Sequence, residues 1–262
     1  MIHSLFYFGI AGRSLLKVIL SLAVILAMSV QVHAAEVSVA VAANFTAPMQ
    51  KIAQAFEQET GHKTVLSFGS TGSFYAQIHH GAPFQILLAA DDQTPIKIEN
   101  EGLGLSGTRF TYAIGKLVLW SKQPGLVDDK GEVLRRGKFE RIAIANPKLA
   151  PYGAAAMQAL SKLDLLKEIV PKIVQGENIA QTYHVVITEN AQLGFVALSQ
   201  VIAEGKIAQG SGWIVPSKLH APIAQDAIVL SKGRGSPAAA AFVNFLRSER
   251  AKMIIRAYGY DL

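Results

Sequence analysis

The chain has 262 residues, half of them hydrophobic, with no cysteine and a formal net charge of +6 at neutral pH. The absence of cysteine excludes a disulfide framework, thiol catalysis and cysteine-ligated metal sites. The basic residues are scattered along the chain and are not interleaved with aromatic residues, so the sequence gives little support to nucleic-acid binding.

The first 34 residues have the pattern of a secretory signal peptide. Arg13 and Lys17 precede an uncharged apolar run over residues 18–30, and Val32-His33-Ala34 places small residues at the two positions that a signal peptidase reads. The apolar run is short for a membrane span. We expect cleavage after Ala34, which leaves an exported chain of 228 residues with a net charge of +4. N-terminal sequencing of the exported protein distinguishes this from an uncleaved anchor, which would make the chain a membrane-anchored sensor module.

Short apolar runs alternate with amphipathic stretches along the rest of the chain, which is typical of an α/β fold. The predicted strands are 37–43, 63–68, 86–90, 110–121, 142–145, 194–197, 212–215 and 227–230, and the predicted helices are 47–60, 73–80, 154–162, 165–172, 180–188 and 238–257. This order predicts two lobes, the first formed by residues 35–115 and 227–262 and the second by the inserted residues 116–226. Two crossovers between lobes imply a cleft, where small ligands commonly bind.

One turn between a strand and a helix has the features of an anion site. The apolar run over residues 64–68 ends at Gly69-Ser70-Thr71-Gly72, and a helix is predicted from Ser73 onward. The first N–H groups of a helix lack intrahelical acceptors, and the helix dipole favours negative charge beside them. The hydroxyl groups of this turn add neutral donors, and the turn has no Lys or Arg. An ordinary Ser/Thr helix cap is the alternative.

Three other predicted turns have similar chemistry. Asn44 places an amide, which can donate two hydrogen bonds, between a strand and a helix. Tyr152 places a phenol ahead of a helix in the turn 150–154, and the turn 176–180, which contains Ile179, opens another helix. Each turn could be an ordinary cap. Four such turns in one exported α/β protein favour a ligand site that is built from neutral donors.

Several sequence blocks, in the same order, resemble the periplasmic molybdate-binding proteins of bacterial ABC importers. The resemblance runs from about Val37 to the C-terminus, and its blocks are Ala42-Ala43-Asn44-Phe45, Gly69 to Ile78, Gly81-Ala82-Pro83, Ala89-Ala90-Asp91, Pro147 to Gly153, Glu177-Asn178-Ile179, Leu193 to Ala197 and Tyr258-Gly259-Tyr260. It implies the type II periplasmic-binding-protein fold, with two α/β lobes joined by two crossover strands and the ligand in the cleft. It also implies a monomer in the periplasm that binds molybdate or tungstate, uses no cofactor and delivers its ligand to an inner-membrane permease.

The resemblance also implies the oxyanion ligands. They fall on Asn44, on Thr71 with Ser70 beside it, on Tyr152, and on the backbone N–H of Ile179, and the same residues would hold molybdenum as molybdate. The chain departs from the family at Ala197, where some members have a ligating Tyr, and at Asn44, where many have Ser. The sequence leaves open whether Ser70 or Thr71 makes the direct contact.

Two other classes of function remain open from the sequence. The ligand could be another tetrahedral oxyanion such as sulfate or thiosulfate, or the chain could be an exported α/β enzyme. The enzyme hypothesis lacks a nucleophile elbow, a P-loop and an HExxH motif. Asp91-Asp92 could indicate a metal site, but a turn that ends a strand explains this pair more simply.

Overall fold

The computed structural model describes residues 34–262, so the predicted leader up to residue 33 lies outside the described residues. The strands are β1 (Glu36–Ala42), β2 (Lys63–Gly69), β3 (Ile86–Leu88), β4 (Phe110–Gly115), β5 (Leu117–Ser121), β6 (Ile142–Ala145), β7 (Ile173–Gly176), β8 (Leu193–Ala197), β9 (Ile202–Ala203), β10 (Lys206–Ile207), β11 (Ser211–Ile214) and β12 (Ile223–Val229). Two five-stranded mixed sheets result, with strand orders β2-β1-β3-β12-β4 and β11-β5-β8-β6-β7, while β9 and β10 form a separate small hairpin.

Helices follow most of these strands. They are α1 (Thr46–Thr60), α2 (Thr71–His79), α3 (Gln93–Asn100), α4 (Val133–Arg136), α5 (Pro151–Lys162), α6 (Leu166–Ile169), α7 (Ile179–Ile187), α8 (Pro237–Leu246) and α9 (Glu249–Ala257), with 3₁₀ turns at Ala43–Phe45, Val170–Lys172, Leu198–Gln200, Ser217–Leu219 and Ser231–Gly233. Within residues 34–262, no helix combines the length and the apolar character that crossing a bilayer requires.

The strand β1, which lies between β2 and β3 in the first sheet, is covered on both faces. Val37, Val39 and Val41 of β1 belong to a core shared with α1, α8 and α9, while Ala40 packs on the other side with Phe74 of α2. A parallel strand that is covered on both faces needs apolar residues at every position rather than at alternate ones. This explains why the part of β1 from Val39 to Ala42 is continuously apolar.

The parallel strands of each sheet end at one edge. β1 runs parallel to β2 and β3, and β6 runs parallel to β7 and β8. The turns after β1, β2, β6 and β7 lead directly into helical segments. The carboxyl edge of a parallel sheet is where α/β proteins bind ligands, so this topology gathers the four turns singled out in the sequence.

Residues 110–121 form two strands, and the prediction of one long strand was wrong. β4 pairs with β12 in the first sheet, whereas β5 pairs with β8 and β11 in the second. Only Lys116 separates β4 from β5. The apolar pattern continues through the crossover because both strands are core strands, so the pattern does not reveal where the chain changes sheets.

The chain returns to the first sheet earlier than predicted. β12 begins at Ile223, which pairs with Gly115, and not at Ala227. Gln225 and Asp226 interrupt the hydrophobic pattern, although both side chains are fully buried. The predicted division into residues 35–115 with 227–262 and residues 116–226 stays a prediction, and all of β12 belongs to the first sheet.

Two predicted helices are each broken into two segments. The closing helix over 238–257 is α8 followed by α9, because Ser248 caps a new helix start and accepts a hydrogen bond from the Ala251 N–H at 3.3 Å. The helix over 165–172 is α6 followed by a 3₁₀ turn that contains Pro171. Proline supplies no N–H for a continuing helix, so the α-helical pattern stops there.

Asp226 connects β12 to the N-terminal end of the neighbouring strand β4. Its carboxylate is fully buried and accepts hydrogen bonds from Arg109 Nη1 at 2.5 Å and from Thr111 Oγ1 at 2.7 Å. A buried charge that loses its partner is strongly destabilising, because its desolvation is no longer compensated. The Arg109–Asp226 pair therefore holds the strand that also carries Gln225.

We expect Arg109→Met to lower the free energy of unfolding by about 3 kcal/mol, because it leaves Asp226 buried without a cation. This loss of stability is at the lower end of the range for buried ion pairs because the Arg109 side chain is 35% exposed. Urea unfolding measures the change. The control is Arg250→Met, which removes an exposed pair with Glu59 and should cost less than about 1 kcal/mol. Equal losses in the two variants would contradict this role of Arg109.

Candidate functional site

Four helical segments begin around one small cavity between the two sheets. The segments start at Ala43, Thr71, Pro151 and Ile179. The walls of the cavity are Ala42, Ala43, Asn44, Gly69, Ser70, Thr71, Ala90, Ala150, Pro151, Tyr152, Asn178 and Ile179. All five residues that the sequence singled out, Asn44, Ser70, Thr71, Tyr152 and Ile179, are among them.

The start of α2 retains one backbone donor and one hydroxyl donor. Ser70 is the N-cap: its Oγ accepts from the Ser73 N–H at 3.3 Å and lies 2.6 Å from the Ser73 Oγ. The Gly72 N–H donates to Leu149 O at 2.9 Å. The N–H of Thr71, at the first helical position, has no intrahelical acceptor. Thr71 Oγ1 accepts from the Ala90 N–H at 2.9 Å, which leaves its own proton to donate.

The start of α7 is capped in a similar way. Asn178 is the N-cap, and its Oδ1 accepts from the N–H groups of Ala180 and Gln181, both at 3.0 Å. The cap therefore satisfies the second and third helical N–H groups. The N–H of Ile179, at the first position, is the donor that the cap does not use.

The start of α5 presents a phenol. Pro151 occupies the first helical position, where its missing N–H costs nothing. Tyr152 follows and is 1% exposed, and its Oη accepts a hydrogen bond from Gln225 Nε2 at 3.2 Å. Burial raises the pKa of Tyr152 well above its ordinary value, and the neighbouring phenols of Tyr260 and Tyr112 raise it further. The phenol therefore stays protonated and neutral.

The sequence predicted that the side-chain amide of Asn44 donates to a ligand, but in the structure this amide is engaged elsewhere. Its Nδ2 donates to Gln225 Oε1 at 2.8 Å and to Tyr260 Oη at 2.9 Å, which engages both amide protons. The residue still lines the cavity, near the start of the helical segment that opens at Ala43. Its backbone N–H is therefore the donor that remains for a ligand.

A buried polar cluster behind the cavity was missed by sequence reasoning. Tyr260 Oη donates to Asn44 O at 2.8 Å, and Ser199 Oγ donates to the same carbonyl at 2.7 Å. Tyr112 Oη lies 3.0 Å from Ala89 O and 3.1 Å from Gln225 Oε1, so its single proton is shared between these two acceptors. The one available signal was Gln225 itself, a polar residue within an otherwise apolar core strand.

The cavity is electrically neutral in its side chains. None of its lining residues, taken from the described residues 34–262, is an Asp, Glu, Lys, Arg or His. The helix starts contribute partial positive charge, and the leftover groups are donors. This arrangement suits a small anion that accepts hydrogen bonds on every side and donates none.

Asp91 lies beside the cavity but serves the next helix. Its Oδ1 accepts from the Thr94 N–H at 2.7 Å and its Oδ2 accepts from Thr94 Oγ1 at 3.2 Å. Burial raises the pKa of Asp91, and the hydrogen bonds from Thr94 counteract that rise. Asp91 therefore accepts hydrogen bonds from the first turn of α3, which agrees with the interpretation of Asp91-Asp92 as part of a turn. Residues 34–262 contain no cluster of three or more His, Asp or Glu side chains that could hold a metal ion.

Fold and site together define a binding protein of the periplasmic type, in which two α/β lobes surround a small ligand cavity. Residues 37–261 match the family model of the bacterial extracellular solute-binding proteins. The chain belongs to this family. Its relatives are solute-binding proteins, so the chain is a binding protein and not an enzyme.

Individual relatives agree with this assignment. The molybdate-binding protein ModA of Azotobacter vinelandii is 59% identical over 230 residues, which cover 88% of this chain and 91% of that protein. ModA of Rhodobacter capsulatus is 48% identical over 241 residues, which cover 92% and 94%. The solved structure of the Azotobacter vinelandii periplasmic molybdate-binding protein matches with a TM-score of 0.84 and 42% identity, over 86% of this chain and 99% of that one. The predicted type II fold is confirmed.

We expect Gly115→Ala to weaken anion binding by about tenfold or more, because a Cβ at this position would collide with Tyr152 Oη and lie 2.6 Å from Gln225 Nε2. Calorimetry with molybdate, the anion that the sequence resemblance implies, measures the effect. The control is Gly212→Ala in β11, where the atom nearest to the added Cβ is at the flexible end of the Ile207 side chain. Unchanged affinity in Gly115→Ala would show that this packing does not support the site.

Proposed function

We propose that this protein captures molybdate, and tungstate with it, in the periplasm and delivers it to an inner-membrane ABC permease. The observation that carries the proposal is the convergence of four helix starts, each with an unused neutral donor, on a cavity without a charged side chain. The names of its relatives from Azotobacter vinelandii and Rhodobacter capsulatus add the ligand.

Molybdate suits such a cavity for a chemical reason. It is a tetrahedral dianion whose oxygens all accept hydrogen bonds and carry no proton near neutral pH. Hydrogen bonds to charged groups contribute about 1.5–3 kcal/mol each. The five donors assigned below would together contribute roughly 8–15 kcal/mol, a range that includes the roughly 12 kcal/mol of nanomolar binding. A lysine or arginine is unnecessary, and it would leave a desolvated cation in the empty site.

We assign the direct contacts from the donors that the helix caps leave unused. Thr71 donates through its hydroxyl and its N–H, and Ile179 and Asn44 donate through their backbone N–H groups. Tyr152 donates through its phenol. Ser70 acts mainly as the helix cap, because its hydroxyl is engaged with Ser73.

In this proposal the protein is a monomer, and its two lobes close on the ligand. The Gly72 N–H donates to Leu149 O at 2.9 Å, so the first turn of α2 contacts the loop before α5. A Cβ on Gly72 would lie 3.0 Å from Leu149 Cα, which explains why this contact needs glycine. The closed cleft would then present the ligand-bound form to the permease.

The deciding experiment is a competition between molybdate, tungstate and sulfate, read by native mass spectrometry on the chain from Ala35 onward. We expect bound molybdate and tungstate in similar amounts and little sulfate. Sulfate has the same charge and shape, but its oxygens lie closer to the central atom, so a rigid cage of donors fits it poorly. Sulfate bound as well as molybdate would contradict the proposal.

Two substitutions test the assigned contacts. We expect Thr71→Val and Tyr152→Phe each to weaken molybdate binding by about ten- to a hundredfold, because each removes one hydrogen bond to a charged ligand. Calorimetry gives the affinities, and urea unfolding checks that the variants fold. Thr188→Val is the control, since its hydroxyl donates only to helix carbonyls at the far end of α7. Unchanged affinity in both site variants would show that the contacts are assigned wrongly.

A further inference from the structure

The backbone carbonyl of Asn44 starts a chain of hydrogen bonds that leads to the ligand cavity. A carbonyl oxygen can only accept. Two hydroxyl groups surround this one: Ser199 Oγ at 2.7 Å and Tyr260 Oη at 2.8 Å. Because this carbonyl cannot donate, the single proton of Tyr260 is directed to it. The Tyr260 oxygen therefore accepts from its other neighbours, among them the side-chain amide of Asn44.

That requirement orients two amides in succession. Because Tyr260 accepts, the Asn44 atom 2.9 Å from it is Nδ2, and the same nitrogen donates to Gln225 at 2.8 Å. The Gln225 atom that faces it is therefore the oxygen, which also accepts from Tyr112. The other end of the Gln225 amide is the nitrogen, and it donates to Tyr152 Oη at 3.2 Å.

The last step concerns the proton of Tyr152. Its oxygen already accepts from Gln225, so its own O–H is free to donate. Burial keeps this phenol protonated, because it raises the pKa well above the ordinary value. Tyr152 lines the ligand cavity. The hydrogen-bond chain from the Asn44 carbonyl therefore turns a phenol, which could accept or donate, into a donor.

We infer that Gln225 is a positioning residue that determines specificity, because it holds Tyr152 as a donor and so makes the cavity select fully deprotonated oxyanions over protonated oxyanions of equal charge. This inference rests on the proposed oxyanion-binding function. Molybdate and hydrogen phosphate are both tetrahedral dianions, but hydrogen phosphate carries one O–H that needs an acceptor. A cavity that offers donors on every side leaves that proton without a partner, which is costly in a buried site.

The surrounding backbone makes room for this arrangement. Gly115 lies next to the pair, and any side chain there would collide with Tyr152 Oη and crowd Gln225 Nε2. The register of β12 against β4 shifts between Gln225 and Asp226, which leaves Tyr112 of β4 outside the regular pairing. Irregularities of this kind redirect side chains beside binding sites. Here the irregularity places Gln225 and Tyr112 in the same buried cluster.

The experiment compares two ligands on the Gln225→Glu variant of the chain from Ala35 onward. A carboxylate accepts at both oxygens, so Tyr152 donates to residue 225 and turns its proton away from the cavity. Calorimetry measures molybdate and inorganic phosphate at mildly alkaline pH, where phosphate is mainly the hydrogen phosphate dianion. The added negative charge penalises both dianions, so the ratio of the two affinities isolates the effect of the proton. We expect the ratio of molybdate to phosphate affinity to fall by about tenfold or more.

Further variants separate positioning from structural damage. Tyr112→Phe removes a hydroxyl whose proton is shared between Ala89 O and Gln225 Oε1, and it leaves the donation from Gln225 to Tyr152 in place, so the ratio should stay unchanged. Tyr152→Phe should lower the ratio by itself, and adding Gln225→Glu to it should lower the ratio no further. If Gln225→Glu does not fold, Gln225→Met carries the test, because it removes the amide that donates to Tyr152 without adding a charge, so the phenol can accept the hydrogen phosphate proton and the ratio should again fall.

The outcomes also separate this inference from the proposed function. A parent protein that binds no molybdate overturns both. If the parent binds molybdate and the ratio is unchanged in Gln225→Glu or in Tyr152→Phe, only the role of Gln225 is overturned. A further drop in the ratio when Gln225→Glu is added to Tyr152→Phe also overturns it, because Gln225 would then act independently of the phenol.

Discussion

The candidate site depends on which N–H groups at the helix starts are left without an acceptor by the helix caps. A helix cap accepts from the second or third N–H group and leaves the first. At α2 and α7 the caps are Ser70 and Asn178, and the leftover groups belong to Thr71 and Ile179. Two parallel sheet edges bring such groups to one cavity. In the proposed function, an anion there is held by helix dipoles and neutral donors, and because no lining side chain is charged, the site needs no counter-charge when it is empty.

The strand β12 links this site to the core of the first sheet. Asp226 anchors the strand to β4 through Arg109, and the adjacent Gln225 reaches the phenol of Tyr152. Burial raises the pKa of Tyr260 to about 12, so this phenol also stays protonated as part of the cluster. A polar cluster in a core is favourable only when its members are satisfied, and here the satisfied cluster also decides which groups can donate to a ligand.

The five residues that the sequence singled out line one cavity, but the sequence did not show the direction of their hydrogen bonds. The turn signals at Ser70, Thr71 and Ile179 are local, because capping and N–H availability depend on a few neighbouring residues. Asn44 shows the limit of such signals. Its side chain was expected to face a ligand, yet its amide is engaged by Gln225 and Tyr260 from distant parts of the chain. No local pattern contains those partners.

The sequence by itself determined the α/β class, most of the strands and helices, and the four turns that supply donors, because periodicity and capping act over short distances. Only the tertiary structure decided that residues 110–121 divide between two sheets, that β12 begins at Ile223, and that Gln225 lies behind Tyr152. These features depend on pairings between residues far apart in the chain, such as Gln225 with Asn44, which lie 181 positions apart. Four neutral helix starts are visible in the sequence, but their convergence on one cavity is a property of the fold.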